Sequence, residues 1–131
     1  MLNSEVRDLG LINHINDYCE DISHTHAKFE DSYDTFVTES TYERTIAFDV
    51  MQICELTKKL SDEFKSQYDL PWRAISGMRN MIVHDYGHID AEVLWETSHD
   101  DIKQIERVCN IVLAPYTEDL DPEIDERAPR M

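Results

Sequence analysis

The stretch STYERTIAFDVMQICELTKKLSDEF, residues 40–64, has the clearest helical period in the chain. Its apolar residues recur every three or four positions, so they form one stripe over about six turns of an α-helix. Ser40 and Glu43 have the spacing of a capping box, which predicts that the helix begins at Ser40 or Thr41. Such a stripe is typical of a helix that packs one face against a core; its members are Tyr42, Ile46, Val50, Ile53, Leu56, Leu60 and Phe64.

The flanking sequence predicts four more helices. One runs over residues 2–22, before a break at residues 23–26, and a short one covers residues 27–37. Another begins at Pro71 and ends near Gly87, and the last begins after the N-cap Asp90 and ends at Pro115. With only 3 Gly and 4 Pro and no strand alternation, the pattern predicts an all-α fold. We expect an antiparallel up-down helical bundle of four long helices plus one short helix.

Composition limits the classes of function. The 131 residues are enough for one domain, predicted over residues 1–114, and an acidic tail over residues 115–131. The formal net charge of -16 excludes a cationic surface over the whole molecule. No apolar run is long enough for a membrane span, the N-terminus is not a signal peptide, and three scattered cysteines do not indicate disulfides. We therefore expect a cytoplasmic protein.

Polar residues are concentrated in the segment WRAISGMRNMIVHDYG, residues 72–87. Arg79 and Asn80 lie among apolar neighbours, and His84 and Tyr86 follow just before Gly87. Arg79 and His84 are five positions apart, which separates them by about 140° around an ideal helix. They can converge if the helix ends near His84, or if two copies of the segment meet across a dimer axis.

A fixed guanidinium beside an imidazole suits phosphodiester cleavage in RNA. Arg79 would bind phosphate oxygens, and His84 would take a proton from a 2′-hydroxyl or give one to the leaving oxygen. Asn80 would orient the phosphate or the histidine, and no metal is required. The alternatives are structural: the Arg–His spacing arises by chance, Asn80 bonds a neighbouring helix, and Tyr86 packs against the end of the bundle.

Metal sites have weaker support in the sequence. His24 and His26 could chelate an ion, but no nearby third ligand completes the set. His84 and His88 are separated by Gly87, which interrupts the helical register that a metal pair would use. We therefore predict no metal site and no cofactor. Glu55 is either a buried partner of Arg79 or, as its place beside the apolar stripe favours, a solvated side chain.

The same segment resembles the HEPN superfamily, and specifically the HepT-type toxins that are paired with minimal nucleotidyltransferase (MntA-type) antitoxins. The family pattern of Arg, four residues, His, one residue and Tyr corresponds here to Arg79, His84 and Tyr86. The resemblance covers about residues 5–113 and is carried by Pro71-Trp72-Arg73, Gly77-Met78-Arg79-Asn80, Val83-His84-Asp85-Tyr86 and Ile89-Asp90 leading to Val93-Leu94-Trp95.

The resemblance implies a homodimeric bundle with metal-independent endoribonuclease activity on RNA, with tRNA as the expected substrate. It implies that Arg79 and His84 are the catalytic pair, that Asn80 assists them, and that Tyr86 accepts AMP from the antitoxin, which blocks the site. The chain would then be the toxin of a type VII-like toxin–antitoxin system. The alternative is a non-catalytic helical subunit that binds a nucleotide or the nucleotidyltransferase through the same cleft.

Overall fold

The computed structural model describes residues 3–84 and 87–117, and these form an all-α bundle as predicted. A two-stranded hairpin and one π-helical segment interrupt the α-helices. In chain order the elements are α1 (Asn3–Lys28), α2 (Tyr33–Thr38), α3 (Ser40–Lys58), α4 (Asp62–Gln67), α5 (Trp72–Ile82), β1 (Val83–His84), β2 (His88–Ile89), α6 (Ala91–Glu96), the π-helical segment (Thr97–Asp101) and α7 (Ile102–Thr117).

The core lies between α1 and α3, which run antiparallel. Asp8 near the start of α1 bonds Ser61 just beyond α3, whereas His26 near the end of α1 bonds Tyr42 near the start of α3. Helix α7 packs on α1, and α5 packs on α3. Every residue of the predicted α3 stripe except Leu56 is buried and contributes to the core; Leu56 is partly buried and packs against it.

Helix α1 continues to Lys28, so the break predicted at residues 23–26 is wrong. The helix continues because His26 is buried and hydrogen-bonded to Tyr42 and Ser98. The next helix begins only at Tyr33, where the Ser32 hydroxyl accepts from the Thr35 backbone N–H. Residues 27–32 of the predicted second helix are instead the end of α1 and a turn.

The long helix predicted over residues 40–64 is two helices. Helix α3 ends at Lys58, and α4 begins after Ser61, whose hydroxyl accepts from the Phe64 N–H. The buried Asp8 carboxylate accepts from both the N–H and the hydroxyl of Ser61. At its other end α3 begins after Glu39 with no side-chain cap, so the predicted capping box does not form.

The last predicted helix has its N-cap where expected, since Asp90 Oδ1 accepts from the Val93 N–H. It is divided by the π-helical segment and continues through Pro115 to Thr117, so the predicted end at Pro115 is two residues early. The boundary between domain and tail remains a prediction, because residues 118–131 lie outside the described part. No helix among residues 3–84 and 87–117 has the length and hydropathy of a membrane span.

Candidate functional site

Arg79 and Asn80 lie on the exposed face of α5, in its last turn. The opposite face of this helix buries Ile75, Met78 and Ile82 in the core, and this fixes which way the helix faces. The side chain of Arg79 makes no hydrogen bond or ion pair with any residue in the described ranges, and neither does the side chain of Asn80. The structure therefore leaves this guanidinium in solvent, without a counterion from the described residues.

Helix α5 ends two residues before His84. The N–H of Val83 donates to the Arg79 carbonyl, and the chain then becomes extended. Val83 pairs with Ile89 and His84 pairs with His88 in an antiparallel hairpin. The Asp90 N–H donates to the Ile82 carbonyl at 2.7 Å, which ties the end of the hairpin back to α5.

This helix end meets one of the two conditions under which Arg79 and His84 can converge. Because α5 stops at Ile82, the separation of about 140° calculated for an ideal helix does not apply to His84. The side chain of His84, and Tyr86 entirely, lie outside the described part of the chain. Their roles and the proximity of the Arg79 and His84 side chains therefore remain predictions.

The backbone of Arg79 is anchored in the core while its side chain is exposed. The Arg79 backbone lies near the thiol of Cys54 and slightly lowers its pKa, but burial outweighs this effect and raises the pKa to about 11. Burial raises the pKa of Cys109 to about 12, so both cysteines stay as neutral thiols at pH 7. Cys19, Cys54 and Cys109 are all free and buried, in agreement with the prediction that there are no disulfides.

Glu55 is not a buried partner of Arg79. It is exposed and forms an ion pair with Lys58 at 3.2 Å. The exposure confirms the prediction that the Glu55 side chain is solvated. The charge of Arg79 therefore has no counterion within the described residues.

The hairpin was not predicted from the sequence, although the sequence contains a signal for it. Residues 83–89 have the sequence VHDYGHI. The β-branched residues Val83 and Ile89 stand at the two ends, and His84 and His88 are the next residues inward. Three residues separate the paired histidines, and Gly87 has φ +90°, as the last position of a three-residue hairpin loop commonly requires. His88 is exposed and lies directly opposite His84 in the ladder.

The helical bundle and the exposed arginine ahead of a histidine agree with the resemblance to the HEPN superfamily. The family described as "Ribonuclease HepT-like" matches residues 15–112, which include the whole segment from Trp72 to Trp95. The chain belongs to this family.

Three relatives illustrate the match. The chain is 29% identical over 83 residues to a "Putative RNase" of Caldanaerobacter subterraneus subsp. tengcongensis, covering 63% of this chain and 74% of the relative. It is 27% identical over 95 residues to a "Probable ribonuclease HepT" of Thermococcus cleftensis, covering 68% and 86%. A "Putative RNase" of Methanocaldococcus jannaschii is 25% identical over 81 residues, covering 61% and 74%. No solved structure matches the chain.

Proposed function

We propose that this chain is a HepT-type toxin, a metal-independent endoribonuclease that acts on RNA, with tRNA as the expected substrate. The observation that carries the proposal is the exposed Arg79, without a counterion among the described residues, in the last turn of a helix that ends just before His84. Membership of the HepT-like family and the names of its relatives support the same activity.

The proposed reaction needs only protein groups. The Arg79 guanidinium binds the non-bridging phosphate oxygens and stabilises the charge that develops on them. His84 accepts the proton of the 2′-hydroxyl as its oxygen attacks phosphorus, and a protonated imidazole supplies the proton to the departing 5′-oxygen. The P–O5′ bond breaks, which leaves a 2′,3′-cyclic phosphate and a 5′-hydroxyl. Asn80 orients the phosphate beside Arg79.

Two copies of the chain are proposed to form a homodimer in which the two segments face each other across a cleft. Each dimer would then bring two arginines and two histidines to one RNA-binding cleft. A local cluster of this kind is compatible with a molecule of net charge -16, because the contact with phosphate is confined to the cleft.

The proposed partner is a minimal nucleotidyltransferase antitoxin that transfers AMP from ATP to Tyr86. The phenol oxygen attacks the α-phosphorus, the bond to the β-phosphate oxygen breaks, pyrophosphate leaves, and the phenolic proton passes to solvent. The product places a bulky anion two residues from His84, which would exclude the RNA phosphate.

Intact-mass measurement tests the acceptor. After co-expression with the nucleotidyltransferase, the chain should gain one or more AMP units. Tyr86→Phe should remove this gain, whereas Tyr116→Phe, which alters an exposed tyrosine in α7, should keep it. An AMP adduct that persists in Tyr86→Phe would contradict the assignment.

The histidine is tested by cleavage of total tRNA in excess chelator, with His84→Ala beside His88→Ala. The first substitution should abolish cleavage, and the second, which alters its neighbour in the ladder, should retain most of it. End-group analysis should find cyclic phosphates. A wild-type chain that binds the nucleotidyltransferase but leaves RNA intact would favour the alternative of a non-catalytic binding subunit.

A further inference from the structure

A second group of polar side chains lies at the end of the bundle where α1 finishes. His26 belongs to the last turns of α1, Asp31 to the turn before α2, and His99 to the π-helical segment. The His99 Nε2 atom is 2.6 Å from Asp31 Oδ1, and the His26 Nδ1 atom is 3.8 Å from the same oxygen. One nitrogen or oxygen atom from each residue lies within 4.8 Å of the others.

The hydrogen bonds of His26 define which ring nitrogen carries its proton. The Ser98 hydroxyl donates its only hydrogen to the Trp95 carbonyl at 2.9 Å, since a carbonyl can only accept. Ser98 Oγ therefore accepts from His26 Nε2, which is 2.9 Å away. The lone pair of His26 is then on Nδ1, toward the Tyr42 hydroxyl at 2.5 Å. Burial and the charge of His99 lower the pKa of His26 to about 4, which agrees with a neutral ring.

The hydrogen bonds of His99 follow the same logic. Its Nδ1 atom is 2.8 Å from the Trp95 carbonyl oxygen and must donate to it. Its other nitrogen, Nε2, is 2.6 Å from Asp31 Oδ1 and donates an N–H to it, because a carboxylate only accepts; a metal ion bound at Nε2 would take the place of this hydrogen. Both rings thus have one N–H held by an oxygen acceptor on the outer side. The His26 Nδ1 lone pair accepts from the Tyr42 hydroxyl and lies 3.8 Å from Asp31 Oδ1, so an ion bound at Nδ1 would replace the hydrogen bond from Tyr42. Histidines that bind metals are held in this way by their outer nitrogen.

Local backbone features bring these residues together. Glu30 and Asp31 have φ of 59° and 51°, left-handed values that are uncommon for residues other than glycine. The π-helical segment over Thr97–Asp101 places Ser98 and His99 beside His26. Single-turn π segments are often found at functional sites.

We propose that His26, Asp31 and His99 form a Zn²⁺ site, with His26 Nδ1, His99 Nε2 and an Asp31 carboxylate oxygen as ligands. Zinc binds this combination of nitrogen and oxygen donors at about 2.0–2.2 Å. Neighbouring ligand atoms in a tetrahedral site lie about 3.3 Å apart, so Asp31 must shift between the two rings, and the two histidine nitrogens, which lie within 4.8 Å of each other, must also come closer together. Asp31 is exposed at 59% of its side-chain surface and lies in a turn, which permits this shift. A water molecule would supply the fourth ligand.

The proposed zinc site is separate from the proposed ribonuclease site. Tyr42 is twelve residues from Cys54 along α3, which is about 18 Å of helix, and Cys54 is the α3 residue that lies near the Arg79 backbone. An ion here would join the end of α1, the turn before α2 and the π-helical segment. It would stabilise the bundle without entering the chemistry at Arg79, so it goes beyond the proposed function and does not depend on it.

Calorimetric titration of the full-length, chelator-stripped chain with Zn²⁺ tests the site, with Co²⁺ absorption as a second readout of ligand geometry. The wild type should bind one ion per chain and show the intense visible bands of four-coordinate Co²⁺. His99→Ala and Asp31→Asn should each weaken binding at least tenfold. His24→Ala is the matched control, because it removes an exposed histidine two residues from His26 on the same helix, and it should bind like the wild type.

Circular dichroism measures the helical content of each variant, so it distinguishes a variant that has lost its fold from one that has lost only a zinc ligand. Asp31→Asn changes an exposed residue and should preserve the helical signal, so its binding result alone is decisive. No Zn²⁺ binding by the wild type, or equal binding by the wild type and Asp31→Asn, would overturn the proposal and leave an ordinary His99–Asp31 ion pair. Loss of binding in His24→Ala would also overturn it, in favour of a His24–His26 chelate.

Discussion

At the scale of single residues, the structure divides the polar side chains into exposed and buried groups, and the sequence predicted only part of this division. Arg79 and Asn80 are chemical candidates by sequence because they interrupt an apolar stretch, and the structure leaves both exposed. The sequence pattern pairs His26 only with His24, as a possible metal chelate. Its actual neighbours, Asp31 and His99, could not be predicted, because the contact with His99 depends on how α1 and the π-helical segment pack.

Asp49 is a buried acid whose burial was not predicted from the sequence. It is 6% exposed in α3, and burial, with a smaller contribution from Asp21, raises its pKa from 3.8 to about 6. An acid whose pKa is higher in the folded protein destabilises the fold when ionised. The penalty is absent below pH 3.8, grows between pH 3.8 and 6, and is complete above about pH 6.

We therefore predict that Asp49→Asn raises the free energy of unfolding at pH 8 by about 1–2 kcal/mol, with a gain that fades toward pH 4. Urea unfolding at both pH values measures this. Glu20→Gln removes the same negative charge at an exposed position of α1. As the control, it should change the free energy of unfolding by less. An Asp49→Asn gain that is the same at both pH values would contradict the assigned pKa.

At the scale of elements, apolar periodicity predicted which segments are helical but not where helices divide. The stripe from Tyr42 to Phe64 is continuous in sequence, yet α3 stops at Lys58. Asp8, far away in the sequence, bonds Ser61 and stabilises a new helix start there. Divisions that depend on such tertiary contacts leave no local signal, whereas the N-cap Asp90 was predictable because its contacts are local.

Asp8→Ala should therefore destabilise the protein by about 1–3 kcal/mol, because it leaves two Ser61 donors without their partner. Chemical denaturation measures the change. Glu5→Ala removes an exposed acid from the same helix and should have an effect within about 0.5 kcal/mol. Equal effects of the two substitutions would mean that the Asp8–Ser61 contact does not stabilise the start of α4.

Two glycines are predicted to respond to the same substitution in opposite directions. Gly87 has φ +90° in the hairpin, so Gly87→Ala should cost about 1–2 kcal/mol and disturb the strand that carries His84. Gly10 lies within α1 with open space beside it, so Gly10→Ala should stabilise by about 0.5–1 kcal/mol. Thermal unfolding of both variants decides this, and a stabilised Gly87→Ala would argue against the hairpin.

At the scale of the whole molecule, composition predicted the fold class, and the resemblance at residues 72–95 predicted the family. Three glycines and four prolines leave few places to interrupt helices. The family match over residues 15–112 confirms the HepT-like assignment. Assembly could not be derived from one chain's periodicity, because exposed apolar side chains such as Phe48 and Met81 do not by themselves identify what covers them.

We predict that the chain is a dimer in solution. Light scattering after size exclusion should give about twice the chain mass of 15.4 kDa. Because the proposed cleft needs two copies of the α5 segment, dilution into monomers should reduce RNA cleavage in parallel with dimer content. Full specific activity in a monomeric fraction would contradict a shared cleft.

The central claim is that Arg79 is the phosphate-binding group of a metal-independent ribonuclease. The most direct measurement is the single-turnover rate of RNA cleavage in excess chelator for the wild type, Arg79→Ala and Arg73→Ala, the last removing an exposed arginine from the first turn of the same helix. We predict cleavage by the wild type and Arg73→Ala and a loss of at least a hundredfold in Arg79→Ala. Equal rates for the two variants, or no cleavage by the wild type, would contradict the account.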